Sequence, residues 1–390
     1  MRIVVVGGTG FVGGELIPLL IAAGHTVLLV TRQPNSLRAQ EFGCLVAPLE
    51  GWEKHAAGYD TVLYLSVVNS DTKATSQVFS ESNVLLPQSV AQTAKSMGID
   101  RFLFFSSVHA LDPHAASSYI KSKKLGEVSA ARSFGSGFQT VFLGAVHGKC
   151  HSGKWKVLNR MPRLMRKIVF GIFSAFSPTT SIDSFFRLVT GPGEGNRQLI
   201  TDGSEKKFAY RVWRGALDGV FIVGAALLSP AMFLLWLGVV VTNGRPGLFV
   251  QERVGKNGRV FDCFKLRTMS HGTLSRGTHL IEDSAVTPFG RFLRKTKIDE
   301  IPQALNVLRR EMHLIGPRPS LENQTEVIAS RRLAGTVGIT PGLTGWAQVN
   351  GVDMSEPDEI ARWDAEYVGL QSIRWDLKIL ARTLIRRPVA

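Results

Sequence analysis

The chain has 390 residues, 44% of them hydrophobic and 20% charged, which excludes a disordered polypeptide and exceeds one ordinary domain. Its formal charge of +15 divides as +2 over residues 1–150, +6 over 151–210 and +7 over 211–390, so the excess is no tail and calls for phosphorylated ligands, anionic lipid or nucleic acid. Three scattered cysteines, Cys44, Cys150 and Cys263, exclude a disulfide scaffold and a Cys-based zinc site and fit a reducing compartment.

In chain order, Ile3–Val6 reads as a buried first strand. It is not the core of a signal peptide, because Gly7-Gly8-Thr9-Gly10 breaks the apolar run and Glu15 would sit inside it. Apolar runs follow at Thr26–Val30, Thr61–Leu65, Arg101–Phe105 and Gln139–Leu143, with helix-like stretches between them. Five such strands alternating with helices predict a Rossmann-like parallel α/β sheet. Residues 154–173 form a basic, apolar-interleaved helix candidate. A boundary near residues 205–212 divides the chain into domains 1–205 and 206–390. The second is expected to be a small α-rich (α+β) domain: a Gly- and Arg-rich stretch, a helix from about Pro302 to Met312, a Pro/Gly-rich loop region and a final helix around Asp376–Ile385.

Gly219–Val241 carries no charge over 23 residues, long enough to cross a bilayer. Ser229-Pro230 interrupts it, since proline removes a helical hydrogen bond and clashes with the preceding turn. Lys206, Lys207, Arg211 and Arg214 precede it and Arg245, Arg253, Lys256 and Arg259 follow. Positive charge on both flanks is not the mark of a single crossing. A re-entrant helix over 219–241, entering and leaving by the cytoplasmic face, is the expectation; a plain kinked span is the alternative.

Gly7, Gly10 and Gly13, with Phe11 and Val12 between them, follow the first strand and open a helix. Such a loop lets backbone N–H groups approach a pyrophosphate at a helix N-terminus. The second strand ends in Thr31-Arg32, without the carboxylate that NAD ribose prefers; Arg32 suits a 2′-phosphate and points to NADP, with NAD as the alternative. A solvated arginine at a strand end is the plainer reading. Ser107 closes the fourth strand, and Tyr119 and Lys123, four apart, share a helix face. An ammonium beside a phenol lowers its pKa and gives a usable proton donor.

In this order and spacing the motifs resemble an extended short-chain dehydrogenase/reductase of the nucleotide-sugar epimerase and dehydratase kind, over residues 1 to about 205. The resemblance implies Ser107, Tyr119 and Lys123 as catalytic residues, Tyr119 and Lys123 also touching the cofactor, and Asn83 as a structural asparagine. Where the family has Arg-Pro after its sixth strand, this chain has Leu143-Gly144, and its substrate subdomain is short. Under this reading the 154–173 helix either lies on anionic lipid or presents a solvated basic face within a sugar-binding subdomain; the second is preferred.

Pro302 suggests a first helical turn, with Asp299-Glu300 at the helix N-terminus, where an acidic pair ordinarily offsets the dipole. Here it keeps company with Arg294, Lys295, Lys297 and Gly316-Pro317-Arg318-Pro319. A carboxylate attacking phosphorus needs cations around the non-bridging oxygens and a metal on the leaving diphosphate. From about Lys207 onward the chain resembles the bacterial sugar transferases, the small monotopic phosphoglycosyl transferases. The resemblance rests on Ser229-Pro230, Phe264–Met269, Ile298–Gln303, Gly316–Pro319 and Pro341–Gly351. It implies transfer of a sugar 1-phosphate from a UDP-sugar to undecaprenyl phosphate. Asp299 would be the covalent carrier, Glu300 the Mg²⁺ ligand, and Arg267, Arg294 and Arg318 the phosphate contacts. The expected whole is a bifunctional enzyme at the bacterial inner membrane, both domains cytoplasmic, a homodimer left open. Phosphates and lipid headgroups then account for the basic surplus without nucleic acid.

Overall fold

The computed structural model describes residues 1–68, 75–151, 153–193, 195–270 and 286–385, with Gly153 and Lys154 described by their backbone alone. The portion of the Gly- and Arg-rich stretch over 271–285 lies outside the described residues. Two compact units result: Met1–Ser174 with Pro178–Gly203, and Ser204–Ala390 with Ala175–Ser177.

The first unit is built on β1 (Arg2–Val6), β2 (Thr26–Thr31), β3 (Leu45–Pro48), β4 (Thr61–Tyr64), β5 (Arg101–Ser107), β6 (Phe138–Leu143), β7 (Ala145–His147), β8 (Thr179–Ser181) and β9 (Arg197–Ile200). Seven of these form one parallel sheet in the order β3-β2-β1-β4-β5-β6-β9. All five expected strands are present. β3 and β9, with exposed or half-buried residues at most positions, extend the two edges.

Helices α1 (Phe11–Ala22), α2 (Leu37–Gln40), α3 (Ser76–Ser80), α4 (Leu86–Ser96), α5 (Ser118–Phe134), α6 (Arg163–Phe173) and α7 (Ile182–Thr190) complete the unit. Because side chains alternate across a strand, Val4 and Val6 enter one core with Phe102 and Phe104, while Ile3 and Val5 enter the other with Leu16 and Phe185. Strand order reverses at β1, which lies between β2 and β4; a crevice opens there beyond the carboxyl ends of the strands. The single helix expected over 154–173 is two pieces. A 3-10 run over Gly153–Arg160 stops before Pro162, and α6 begins only after it.

The second unit contains α8 (Phe208–Leu227), α9 (Ser229–Asn243), α10 (Pro288–Thr296), α11 (Ala304–Leu308), α12 (Thr325–Leu333), α13 (Trp346–Val349), α14 (Pro357–Leu370) and α15 (Ile373–Ile385). The stretch after the apolar segment is a hairpin of β10 (Leu248–Val254) and β11 (Val260–Leu266), and β12 (His313–Ile315) pairs in parallel with β13 (Gly342–Thr344). The helix expected from Pro302 instead starts as a 3-10 run at Ile298, with Pro302 inside it, and α11 ends at Leu308, just before Arg310 turns left-handed. The region read as loops holds α12 and α14.

No single described helix is long and apolar enough to cross a membrane, but α8 and α9 together are, and they bend by 63° at the break. The bend falls where Pro230 withholds its N–H. One side of the pair packs on the unit: Phe221 and Ile222 against Cys263 and Met312, Val239 against Leu266 and Leu293. Val220, Val223, Leu227, Phe233, Leu234 and Val241 are exposed. Asp218 fixes the middle of α8, accepting from Leu314 N at 2.8 Å and lying 2.6 Å from His313 Nδ1; one turn earlier Arg214 donates to Ile315 O at 2.6 Å. Tyr210 and Tyr367 both donate to the buried Asp376 carboxylate, tying α8, α14 and α15 together.

Candidate functional sites

At the crevice of the first unit, Gly7 takes φ +81°, and a Cβ there would stand 2.6 Å from Ser66 Cα. A Cβ at Gly13 would strike the Gly8 carbonyl at 2.1 Å, so the first turn of α1 sits tight against the loop. The resulting cleft, about 400 Å³, is walled by Gly7, Gly10, Phe11, Val12, Gly13 and Arg32, together with Thr9, Thr31 and Ser66. Every residue taken from the glycine loop and the second strand therefore meets at one place. Arg38, which the sequence reading passed over, arrives from α2 and donates from Nη2 to Gly10 O at 3.4 Å. Its signal was only its sequence proximity to Arg32.

Ser107, Tyr119 and Lys123 lie outside that wall. Ser107 ends β5, and its Oγ accepts from His109 N. Tyr119 and Lys123 are one turn apart on α5. Lys123 is only 4% exposed; its Nζ donates to Phe105 O at 2.9 Å and lies over the Phe104 ring. Burial brings its pKa down to about 7. The ammonium thus anchors α5 to β5. Asn83 donates to Ser122 Oγ at 3.0 Å and bonds both backbone groups of Val68, while Gly126 packs directly on Asn83 O. Asn83 thereby joins the segment after β4 to the helix that carries Tyr119.

In the second unit, α10 ends at Lys297 in the left-handed region (φ +57°), and the chain turns at once into the 3-10 run bearing Asp299 and Glu300. Asp299 is 8% exposed. Burial, reinforced by the adjacent Glu300 charge, pushes its carboxyl up to about 6 against the pull of Lys265 and Arg294. For Glu300, burial acts upward, but the Lys265 ammonium 2.7 Å from Oε1, with Arg318 and Lys297, holds it below the ordinary range. Neighbouring carboxyls are thus driven apart, one readily protonated and one firmly ionised.

Arg294 and Arg318 face this pair electrostatically, and Arg294 Nε also donates to Thr268 Oγ1 at 2.8 Å. Arg267 is engaged elsewhere: its Nε donates to Pro246 O and its guanidinium lies over the Phe249 ring. Two cations were missed. Lys265 stands on β11 beside Glu300. Arg253, on β10, is 7% exposed and donates to Pro319 O and Gln251 Oε1, yet among the described residues its buried Nε has no partner. Desolvation, with the like charge of Arg318, lowers its pKa to about 10. Recognising the hairpin would have found both.

Mg²⁺ commonly takes one or two carboxylates and completes its shell with substrate phosphates. No group of three or more His, Cys, Asp or Glu suited to a metal occurs among the described residues. Lys265 already bonds Glu300 Oε1 at 2.7 Å, so a Mg²⁺ at Glu300 would have to take its remaining ligands from a diphosphate.

Residues 209–387 match the bacterial sugar transferase model and residues 3–133 that of the NAD dependent epimerase/dehydratase family. The chain belongs to the bacterial sugar transferase family. It is 38% identical over 212 residues to the UDP-glucose:undecaprenyl-phosphate glucose-1-phosphate transferase of Caulobacter vibrioides, an alignment covering 50% of this chain and 76% of that one. It is 39% identical over 141 residues to the uncharacterized sugar transferase EpsL of Bacillus subtilis, covering 36% and 69%. With the galactosyl transferase CpsE of Streptococcus agalactiae, identity is 36% over 187 residues, 44% of this chain and 39% of CpsE; the chain thus spans about two fifths of that relative's length. Among solved structures, Bordetella bronchiseptica WbmG in complex with NAD and UDP aligns with 52% of this chain and 72% of its own, at 18% identity and a TM-score of 0.40.

Proposed function

We propose that the second unit transfers a sugar 1-phosphate from a UDP-sugar to undecaprenyl phosphate at the cytoplasmic face of the inner membrane. The observation that carries this reading is a buried carboxylate, Asp299, facing Lys265 and Arg294, beside Glu300, which faces Lys265, Arg318 and Arg253. An Asp299 oxygen attacks the phosphorus bearing the sugar, the bond to the UMP oxygen breaks, and UMP leaves. The lipid phosphate then attacks the same phosphorus and frees the carboxylate. The cations match non-bridging phosphate oxygens. Mg²⁺, held by Glu300 and the diphosphate, would neutralise charge on the leaving group. The bent α8–α9 pair suits a re-entrant anchor, since its exposed apolar residues occupy both arms of the elbow.

For the first unit, we infer NADPH-dependent 4-keto reduction of a UDP-4-keto-6-deoxy-N-acetylhexosamine. A nicotinamide held in the glycine-walled cleft would supply hydride to C4, and Tyr119 would give the resulting oxyanion its proton. The glycine-walled cleft supports a dinucleotide, and exposed Arg32, which lies at its edge, supports a 2′-phosphate.

One experiment tests both. UMP release is followed with nanodisc-held protein, undecaprenyl phosphate, Mg²⁺ and the keto sugar, with and without NADPH. Release only with NADPH, abolished by Asp299→Asn, is the expected result. Full activity of Asp299→Asn would overturn the transferase mechanism. Sugar isomerisation without NADPH oxidation would replace the reductase by an epimerase that recycles bound NAD.

A further inference from the structure

Helix α6 buries none of its residues. Its inner side is held by Phe170, whose ring lies 4.7 Å from His147 and 4.8 Å from His151. On the outer side Leu164, Ile168 and Ile172, each four residues from the next, form a stripe that is 73%, 57% and 50% exposed, with Met165 beside it at 52%. Arg163 and Lys167 make a second row at the same spacing, parallel to the first. Lys156 and Arg160 precede them, and no Asp or Glu occurs between Glu127 and Asp183.

A solvated basic face does not explain the apolar stripe, and a nucleotide diphosphate bound by the arginines would leave it in water. A second copy laid on the stripe would set basic row against basic row, and α6 itself carries no carboxylate to neutralise either. A surface that is apolar in its centre and cationic at its margin, with Asp202 behind Phe170 already engaged by His147 at 2.7 Å, matches one partner, the boundary between acyl chains and anionic headgroups.

We propose that α6 docks the first unit on anionic lipid, with Leu164, Ile168 and Ile172 inserted below the phosphates and Arg163 and Lys167 among them. The inference draws partly on the reading of α8–α9 as a membrane anchor, because tethering raises the local concentration of lipid and converts weak surface affinity into lasting contact. The docked first unit would then work at the surface where its partner unit finds its lipid acceptor.

The test uses the full chain in a Cys150→Ser background, which removes the exposed native thiol. An environment-sensitive fluorophore is placed singly at Ile168→Cys, at Leu37→Cys as an exposed position elsewhere on the first unit, and at Leu227→Cys on the anchor. Nanodiscs of phosphatidylcholine, alone or mixed with phosphatidylglycerol, carry a nitroxide at a shallow acyl position. The expected result is a blue shift and quenching at position 168 that grow with phosphatidylglycerol, none at 37, and quenching at 227 in either lipid. Arg163→Gln with Lys167→Gln should shift the docked–undocked equilibrium about fivefold per charge.

Quenching at 227 with position 168 as wet as position 37 overturns α6 docking and leaves the anchor standing. Quenching at 168 without 227 supports docking and overturns the anchor. Protection at 168 that is equal in detergent and depends on protein concentration assigns the stripe to a second copy and overturns the proposal.

Discussion

Replacing Lys265 by methionine removes the ammonium that sits 2.7 Å from Glu300 and faces Asp299. Lys265 and Glu300 are 19% and 25% exposed at their side chains, so the pair is only partly screened. A unit charge about 6 Å away contributes about 3 kcal/mol at an effective dielectric near 20, and roughly half of that after solvent screening, or about one pKa unit. Removing a cation disfavours the ionised form, so the Asp299 carboxyl moves upward from about 6. Only the carboxylate attacks, so the acid limb of the first half-reaction moves the same way, to near pH 7. At pH 6.5 the variant should run about threefold further below its own plateau than the parent, and above pH 8.5 the difference in shape should vanish. Quenched-flow measurement of the UMP burst without polyprenyl phosphate reads this limb free of any titration of the lipid. The ratio to each protein's plateau is compared, because Lys265 also contributes to binding. Lys265→Arg should keep the limb in place. An unmoved limb in Lys265→Met, or one moved to lower pH, would refute the argument that these charges set the nucleophile's ionisation.

Two further outcomes concern the first unit. Arg32→Ala should weaken NADPH about 10- to 100-fold while sparing NADH, measured by cofactor fluorescence titration, since a charge-assisted contact to a phosphate is worth about 1.5–3 kcal/mol. Equal losses for both cofactors would show that Arg32 does not read the 2′-phosphate. Tyr119→Phe should lower NADPH oxidation at least about 100-fold with an unchanged UMP burst from an already reduced UDP-sugar, because it removes a proton donor and touches nothing in the second unit.

What the sequence disclosed depended on how completely each element is buried. β1, β2, β4, β5 and β6 are covered on both faces and read as largely apolar runs, interrupted at Gln139 and Thr140 in β6. β3 and β9 lie at the sheet edges, where Leu45 and Arg197 face solvent; both are short, β3 closes on Pro48 and β9 opens on Arg197-Gln198, so neither reads as a buried strand. The β10–β11 hairpin hid for the opposite reason. Two of its charged residues, Arg253 and Lys265, are turned toward the acidic pair while Glu252 and Asp262 remain exposed, so charge on both faces makes a strand that builds a site resemble a polar loop. Around Asp299 and Glu300, Arg294 and Lys297 are near in both sequence and space, whereas Lys265, Arg318 and Arg253 reach the pair from distant parts of the chain. The glycine loop was legible because backbone geometry, which glycine alone permits, is what it contributes. The 154–173 stretch divided because Pro162 stands inside it, so a 3-10 run and α6 replace the single helix that its composition suggested.

The joint between Asp218 and β12 gives the apolar elbow a fixed reach. From Asp218 to the break after Leu227 is about nine residues, roughly 14 Å of helix at 1.5 Å each, close to half of an approximately 30 Å hydrocarbon layer. Under the proposed re-entrant reading, α8 clamped to β12 by Asp218 and Arg214 would make the elbow a depth gauge. It would stop the unit where its own surface meets the headgroups, and a long-chain lipid could present its phosphate to Asp299 while its tail stays dissolved. Altering the number of residues between Asp218 and Pro230 would therefore change the height of the reaction above the bilayer before it changed anything in the chemistry.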